Sequence, residues 1–115
     1  MEFSYKIISE TPVVKVELHG RLMDKLHAME WLAKMDELIS SGKINFILNM
    51  AGMDYMNSSG LNTMVNMLTK ARSKGGEVLV ANVSPKVKEL FIITKLNTLF
   101  TVTDNMEDAE KHFAK

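Results

Sequence analysis

Asp54-Tyr55-Met56-Asn57-Ser58-Ser59-Gly60-Leu61 lies between an apolar run, Ile44 to Met50, and a segment in which apolar side chains recur at Leu61, Met64, Val65 and Leu68. The run reads as a strand. The i, i+3, i+4, i+7 spacing that follows is one buried face of a helix. The octapeptide is therefore the place where a strand hands over to a helix, with Asn57 or Ser58 as the N-cap. A side-chain oxygen there accepts a hydrogen bond from a first-turn backbone N–H that has no partner within the helix. A serine hydroxyl at such a start stays near the surface, where a phosphate is well received. The local spacing by itself is also satisfied by a purely structural role, with Asn57, Ser58 and Ser59 capping the helix and Gly60 permitting close packing.

Working outward, Ile44-Asn45-Phe46-Ile47-Leu48 is too continuously apolar for a half-exposed strand and predicts a central one covered on both faces. Upstream, Phe3, Tyr5 and Ile7 alternate with Ser4 and Lys6, Thr11-Pro12 breaks the pattern, and Val14, Val16 and Leu18 alternate with Lys15, Glu17 and His19. This period of two predicts a hairpin whose second strand ends at Gly20. From Leu26 to Ser40 the period changes: Ala28, Trp31, Leu32, Met35, Leu38 and Ile39 form one helical stripe, stopped by Ser40-Ser41-Gly42. Downstream, the helix after the serines runs to about Ser73, Gly75-Gly76 stops it, and Glu77 to Ala81 is a short strand. Ser84-Pro85 starts a helix with inner face Val87, Leu90, Phe91 and Thr94. Leu99 to Val102 is a last strand. Asp104 and Glu107 make a capping box for a final helix that turns Met106, Ala109 and Phe113 inward. The order ββαβαβαβα predicts an α/β fold, a mixed sheet with helices packed against it, and one domain over residues 1–115.

The composition narrows the function. At 115 residues and 46% apolar content, one core suffices, with roughly two-thirds of the unfolded chain's surface buried on folding. Fourteen basic residues balance fourteen acidic ones, so no net field favours nucleic acid or an anionic membrane. There is no cysteine, which excludes disulfides, thiolate catalysis and cysteine-ligated zinc. No window approaches the ~20 apolar residues of a membrane span, and Met1 to Lys6 lacks a basic region leading into an apolar run. A soluble, unexported, cytoplasmic chain is expected, without membrane insertion.

In Tyr55-Met56-Asn57-Ser58-Ser59-Gly60-Leu61 the chain resembles the phosphorylation-site motif of the STAS-domain anti-sigma factor antagonists, in which Asp-Ser-Ser-Gly-Leu runs into a helix. The resemblance extends to Leu18-His19-Gly20-Arg21-Leu22, to Lys74-Gly75-Gly76-Glu77 and to Asn82-Val83-Ser84-Pro85-Lys86-Val87, and so covers nearly the whole chain. It departs at two places. The family's Asp before the first serine is Asn57, and the acidic residue expected after Leu22 is Met23, with Asp24 one place late. The resemblance implies a partner-binding switch rather than an enzyme. Ser58 would be the phosphoacceptor and Ser59 the fallback, within a switch loop of Asn57, Ser58, Ser59 and Gly60. The partners would be an anti-sigma factor with serine kinase activity, which the chain sequesters to free a sigma factor, and a serine phosphatase that reverses the modification. Met56, Asn62, Thr63 and Asn66 are the partner-binding candidates. The alternative is a constitutive STAS scaffold or binding module of a transporter or signalling assembly, with the serines acting as caps only.

Other constellations carry less. Lys74-Gly75-Gly76 lacks the Gly-x-x-x-x-Gly-Lys-Ser/Thr pattern that cradles nucleotides and reads as a helix stop. His19, His27 and His112 match no metal-ligand spacing, and no Gly-x-Ser-x-Gly elbow would make Ser58 a nucleophile with Asp54 and a histidine. No cofactor or metal is expected. Ten methionines are unusual, and several flank the motif: Met50, Met53, Met56, Met64 and Met67. Most read as core filling, and any at the surface would suit a partner that needs adaptable contacts.

Overall fold

The computed structural model describes residues 3–10 and 13–113. The elements are β1 (Ser4–Ser9), β2 (Val14–Leu22), α1 (Lys25–Ser40), β3 (Asn45–Met56), α2 (Ser58–Ser73), β4 (Glu77–Ala81), α3 (Pro85–Ile93), a single 3-10 turn (Leu96–Thr98), β5 (Thr101–Thr103) and α4 (Met106–Phe113). The five strands lie in sequence order across one sheet. β1 is antiparallel to β2, and every other neighbouring pair is parallel. This is the mixed α/β arrangement that the hydrophobic periods predict.

Because each parallel connection moves one strand along in the same direction, right-handed crossovers put α1, α2 and α3 on one face. The larger core sits there. Val14, Val16, Leu18 and Leu22 of β2, Phe46, Leu48 and Met50 of β3 and Val78 and Val80 of β4 meet Trp31 and Met35 of α1, Met64 and Met67 of α2, and Val87 and Phe91 of α3. A smaller cluster on the other face joins Val13, Ile47, Leu79 and Ala81 to Ala109 of α4, with Met106 and Phe113 packed against it. Central β3 is thus covered on both sides over Phe46 to Leu48, all fully buried.

Several boundaries differ from the periodic reading, each for a physical reason. β2 continues past Gly20 to Leu22, because Gly20 takes φ +85° and the pairing register with β3 shifts between Gly20 and Arg21 instead of ending. β3 continues past Met50 to Met56 through two such irregularities: Glu17 pairs with Asn49 but His19 with Gly52, and Gly20 pairs with Met53 but Arg21 with Tyr55. Each inserts one extra residue in β3 and resets the alternation of faces. Met50, Met53 and Met56 therefore all point into the larger core, three apart rather than two.

The last strand is Thr101–Thr103 rather than Leu99 to Val102, since the 3-10 turn, entered through Lys95 at φ +62°, takes up the chain before it. Leu99 is 42% exposed. Thr94 is the exposed C-cap of α3 rather than part of its inner face. The cap of α4 is Asn105, whose Oδ1 accepts from the Asp108 N–H at 2.8 Å, in place of the Asp104 and Glu107 box. The predicted break at Thr11-Pro12 lies outside the described residues.

The start of β4 is held by close backbone approach. Glu77 N–H donates to the Ile44 carbonyl at 3.0 Å, and a Cβ placed on Gly76 would stand 2.0 Å from that same oxygen. Gly75 has φ +86° but open space where a Cβ would go. Gly75→Ala should therefore cost about 1 kcal/mol of backbone strain, whereas Gly76→Ala, which must push backbone aside, should cost about 3 kcal/mol. Urea unfolding of both variants checks the order, and equal costs would show that β4 can shift to make room.

Candidate functional site

The strand-to-helix junction is organised by Asn57, the single residue between β3 and α2. Its backbone is extended, with φ −93° and ψ −177°. Its Oδ1 accepts from the Gly60 N–H at 3.0 Å, and its carbonyl accepts from the Leu61 N–H at 3.0 Å, so Asn57 is the N-cap. α2 begins at Ser58, earlier than the apolar period from Leu61 shows, because the first turn has no apolar residue to mark it. Asn57 also reaches sideways. Its backbone N–H donates to the Leu22 carbonyl at 3.2 Å and its Nδ2 to the Met23 carbonyl at 3.1 Å. An aspartate would keep the cap but has no donor for the last bond. The two departures from the family motif, Asn57 and Met23, are therefore hydrogen-bonded neighbours.

Gly60 is buried against this junction: a Cβ there would lie 3.1 Å from the Leu22 side chain and from its carbonyl oxygen. Ser58 and Ser59, in the first turn of α2, are exposed. Among the described residues nothing engages either hydroxyl. The first turn of α2 contains no acidic side chain. What the junction presents is two free hydroxyls at the positive end of a 16-residue helix, whose dipole and unpaired amides favour an anion there.

The four switch-loop residues thus come together, but the partner-binding candidates separate. Asn62 and Asn66 are exposed on α2. Met56 is fully buried, turned inward by the second bulge of β3, and offers nothing to a partner. Thr63 is only 8% exposed and its hydroxyl donates to the Ser59 carbonyl at 2.9 Å, so it too is withdrawn as a contact residue.

In their place the structure exposes Met23, Leu26 and Met29, at 44%, 61% and 57%, where the chain enters α1. Asp24 caps α1, its Oδ1 accepting from the Leu26 N–H at 2.7 Å. The signal was present in the sequence: Leu26 and Met29 are apolar helix residues left over once the stripe from Ala28 to Ile39 is assigned to the core.

His19 sits beside Glu17, with Nε2 to Oε1 at 3.2 Å, on the sheet face away from the larger core. Among the described residues no three His, Cys, Asp or Glu side chains are grouped to hold a metal ion, and no helix is long and apolar enough to cross a membrane.

Residue 57 allows a direct test of the junction. Asn57→Ala removes the cap and the bond to Met23, and should cost about 1 to 2 kcal/mol. Asn57→Asp keeps the cap and gains a favourable charge at the helix start, and should cost less than about half as much. Chemical denaturation measures both, and an alanine variant as stable as the parent would show that Asn57 does not hold the junction.

Comparison with known proteins bears on the family and the fold. Residues 6–109 match the family model of the STAS domain. The anti-sigma F factor antagonist of Paenibacillus polymyxa is 30% identical over 98 residues, covering 84% of this chain and 83% of that protein. Among solved structures, TM1081 of Thermotoga maritima superposes with a TM-score of 0.86 at 23% identity, covering 98% of this chain and 95% of its own. The Bacillus protein SpoIIAA, solved unphosphorylated and phosphorylated, gives 0.80 and 0.72 at 21% and 20% identity. The coverage is 99% and 97% of this chain and 98% and 99% of SpoIIAA. These structural likenesses show a shared fold.

Proposed function

The chain belongs to the STAS-domain family, and from that membership we propose that it is an anti-sigma factor antagonist whose binding to an anti-sigma factor is controlled by phosphorylation of Ser58. The observation that carries the reading is the placement of Ser58: exposed, its hydroxyl unengaged among the described residues, in the first turn of a helix whose cap is a different residue. Modification of Ser58 leaves the Asn57 to Gly60 bond in place. The anti-sigma F factor antagonist of Paenibacillus polymyxa and the phosphorylated form of SpoIIAA support the same assignment by kinship.

In this mechanism the protein is a substrate and a binding partner, and performs no catalysis. A kinase activity of the anti-sigma factor transfers a phosphoryl group to Ser58, adding about −1.5 to −2 charges near neutral pH. The helix start accommodates this charge, so the fold persists while the surface changes sign locally. Each ~1.4 kcal/mol of lost affinity weakens the complex tenfold. A dianion pressed against an apolar or acidic partner surface loses more than that through desolvation and repulsion. Release of the anti-sigma factor follows, and a serine phosphatase restores binding. Ser59, equally exposed one residue on, is the fallback acceptor.

Phosphopeptide mapping of protein taken from its native cells, with a Ser58→Ala strain as control, should find a phosphoryl group on the Ser58 peptide that the control lacks. Against the anti-sigma factor, Ser58→Ala should bind as the unmodified parent does, and Ser58→Asp should bind about tenfold more weakly or worse. Phosphate on Ser59 alone would move the acceptor by one residue. A fully covered but unmodified peptide, with equal affinities for all three proteins, would instead make the chain a constitutive scaffold with capping serines.

A further inference from the structure

Lys86 is a cation whose position α3 itself does not explain. Ser84 caps α3 and Pro85 is its first residue, so Lys86 stands in the first turn, where the helix dipole disfavours a positive charge. No acidic side chain shares that turn. Among the described residues Lys86 is in no ion pair, and its ammonium lies instead over the Tyr55 ring, 5.1 Å from the centroid. The carboxylates nearest in the chain, Asp54 beside Tyr55 and Glu89 three residues after Lys86, are exposed and are not paired with it.

Tyr55 belongs to the part of β3 that outruns β4. The pairing of these two strands stops at Asn49 and Ala81, while β3 continues to Met56. Lys86 reaches across this step from the start of α3, to the strand that delivers Ser58. Ser58 follows Tyr55 by three residues, a span of at most about 11 Å. Arg21, opposite Tyr55 in the β2 to β3 register and likewise in no ion pair among the described residues, is the competing cation. Lys88 lines a cleft with Phe91, Ile92, Val102 and Asp104 instead.

We propose that Lys86 is the counter-ion of phosphorylated Ser58: its ammonium leaves the Tyr55 ring and pairs with the phosphoryl oxygens. The proposal rests on the phosphorylation-switch reading above and adds what the modification does within the chain. A dianion is the stronger partner, since a charge-assisted hydrogen bond exceeds an exposed cation–π contact. Lysine swings between the two on a flexible four-carbon stem. The modification is then felt in two places, as Ser58 gains charge and Tyr55 loses its cover. Lys86 also favours the dianionic form, so the phosphoryl group carries its full charge down to a lower pH.

The test uses the full chain with phosphoserine incorporated at position 58 during translation, so that no native kinase is needed. The phosphorus resonance followed against pH gives the second phosphoserine pKa, about 6 without charged neighbours. It should lie about 0.3 to 0.5 pH unit lower in the parent than in Lys86→Ala, and this difference should shrink in about 0.5 M salt. Lys88→Ala should titrate as the parent does. The ε-methylene proton resonances of Lys86, shielded by the Tyr55 ring in the unphosphorylated chain, should move downfield when residue 58 is phosphoserine.

Equal pKa values in the parent and Lys86→Ala, or Lys86 resonances that stay shielded, would overturn the pairing while leaving the switch standing. A pKa that rises in Arg21→Ala and not in Lys86→Ala would overturn it too, because the counter-ion would then be Arg21. Absence of phosphate from Ser58 in protein taken from its native cells would instead remove the switch reading, and with it the event that Lys86 answers.

Discussion

The junction between β3 and α2 depends on one side chain that must do two things at once. Asn57 caps α2 with its oxygen and holds the β2 to α1 connection with its nitrogen. Each bond is modest alone, about 1 kcal/mol net for a typical intramolecular hydrogen bond. Their combined effect is positional. They fix the end of the sheet, the start of α2 and the entry to α1 relative to one another, so that Ser58 and the apolar group around Leu26 keep a constant spacing. Gly60, where a Cβ would crowd Leu22 at 3.1 Å, allows the helix to come that close.

The core supplies the stiff base for this junction, and β3 does so by departing from regular geometry. Two extra residues in β3, opposite Glu17 to His19 and Gly20 to Arg21, bring three methionines onto the same face. One face of the strand therefore stays in the core up to Met56, while Ala51 and Asp54 on its other side already meet solvent. An unbulged strand would turn alternate members of that series outward. Unbranched methionine suits such a place, since it fills the uneven space beside a bulge without a fixed shape.

This is also why the sequence was legible in some stretches and opaque in others. The ends of α2 and β4 at Ser73 and Ala81, and the Ser84 cap with Pro85 at the start of α3, follow from punctuation the chain carries openly: glycines, a serine-proline pair, unbroken apolar runs. The second half of β3 was hidden because bulges replace a period of two with a period of three, which no local count recognises as a strand. Gly20 misled for the same reason, looking like a stop where the backbone only needed a positive φ. At the site, the cap residue was readable from its type. The sideways bond to Met23 was not, because it joins residues 34 apart in the chain. Burial of Met56 and Thr63 likewise depends on which way a bulge and a helix face are turned, and that is settled by tertiary packing.

In the proposed switch, the same arrangement reconciles two demands that usually conflict. A modification strong enough to break a complex, worth several kcal/mol at an apolar contact, is comparable to the whole ~5 to 15 kcal/mol that keeps a domain folded. It must therefore act on the complex and spare the fold. A serine in the first turn of a helix meets this requirement. In the free protein its phosphate has water on one side and the positive helix end on the other. In the complex it would have to give up that water. The cap is essential to this separation: because Asn57 rather than Ser58 holds the helix start, the modified side chain is not one that the fold relies on.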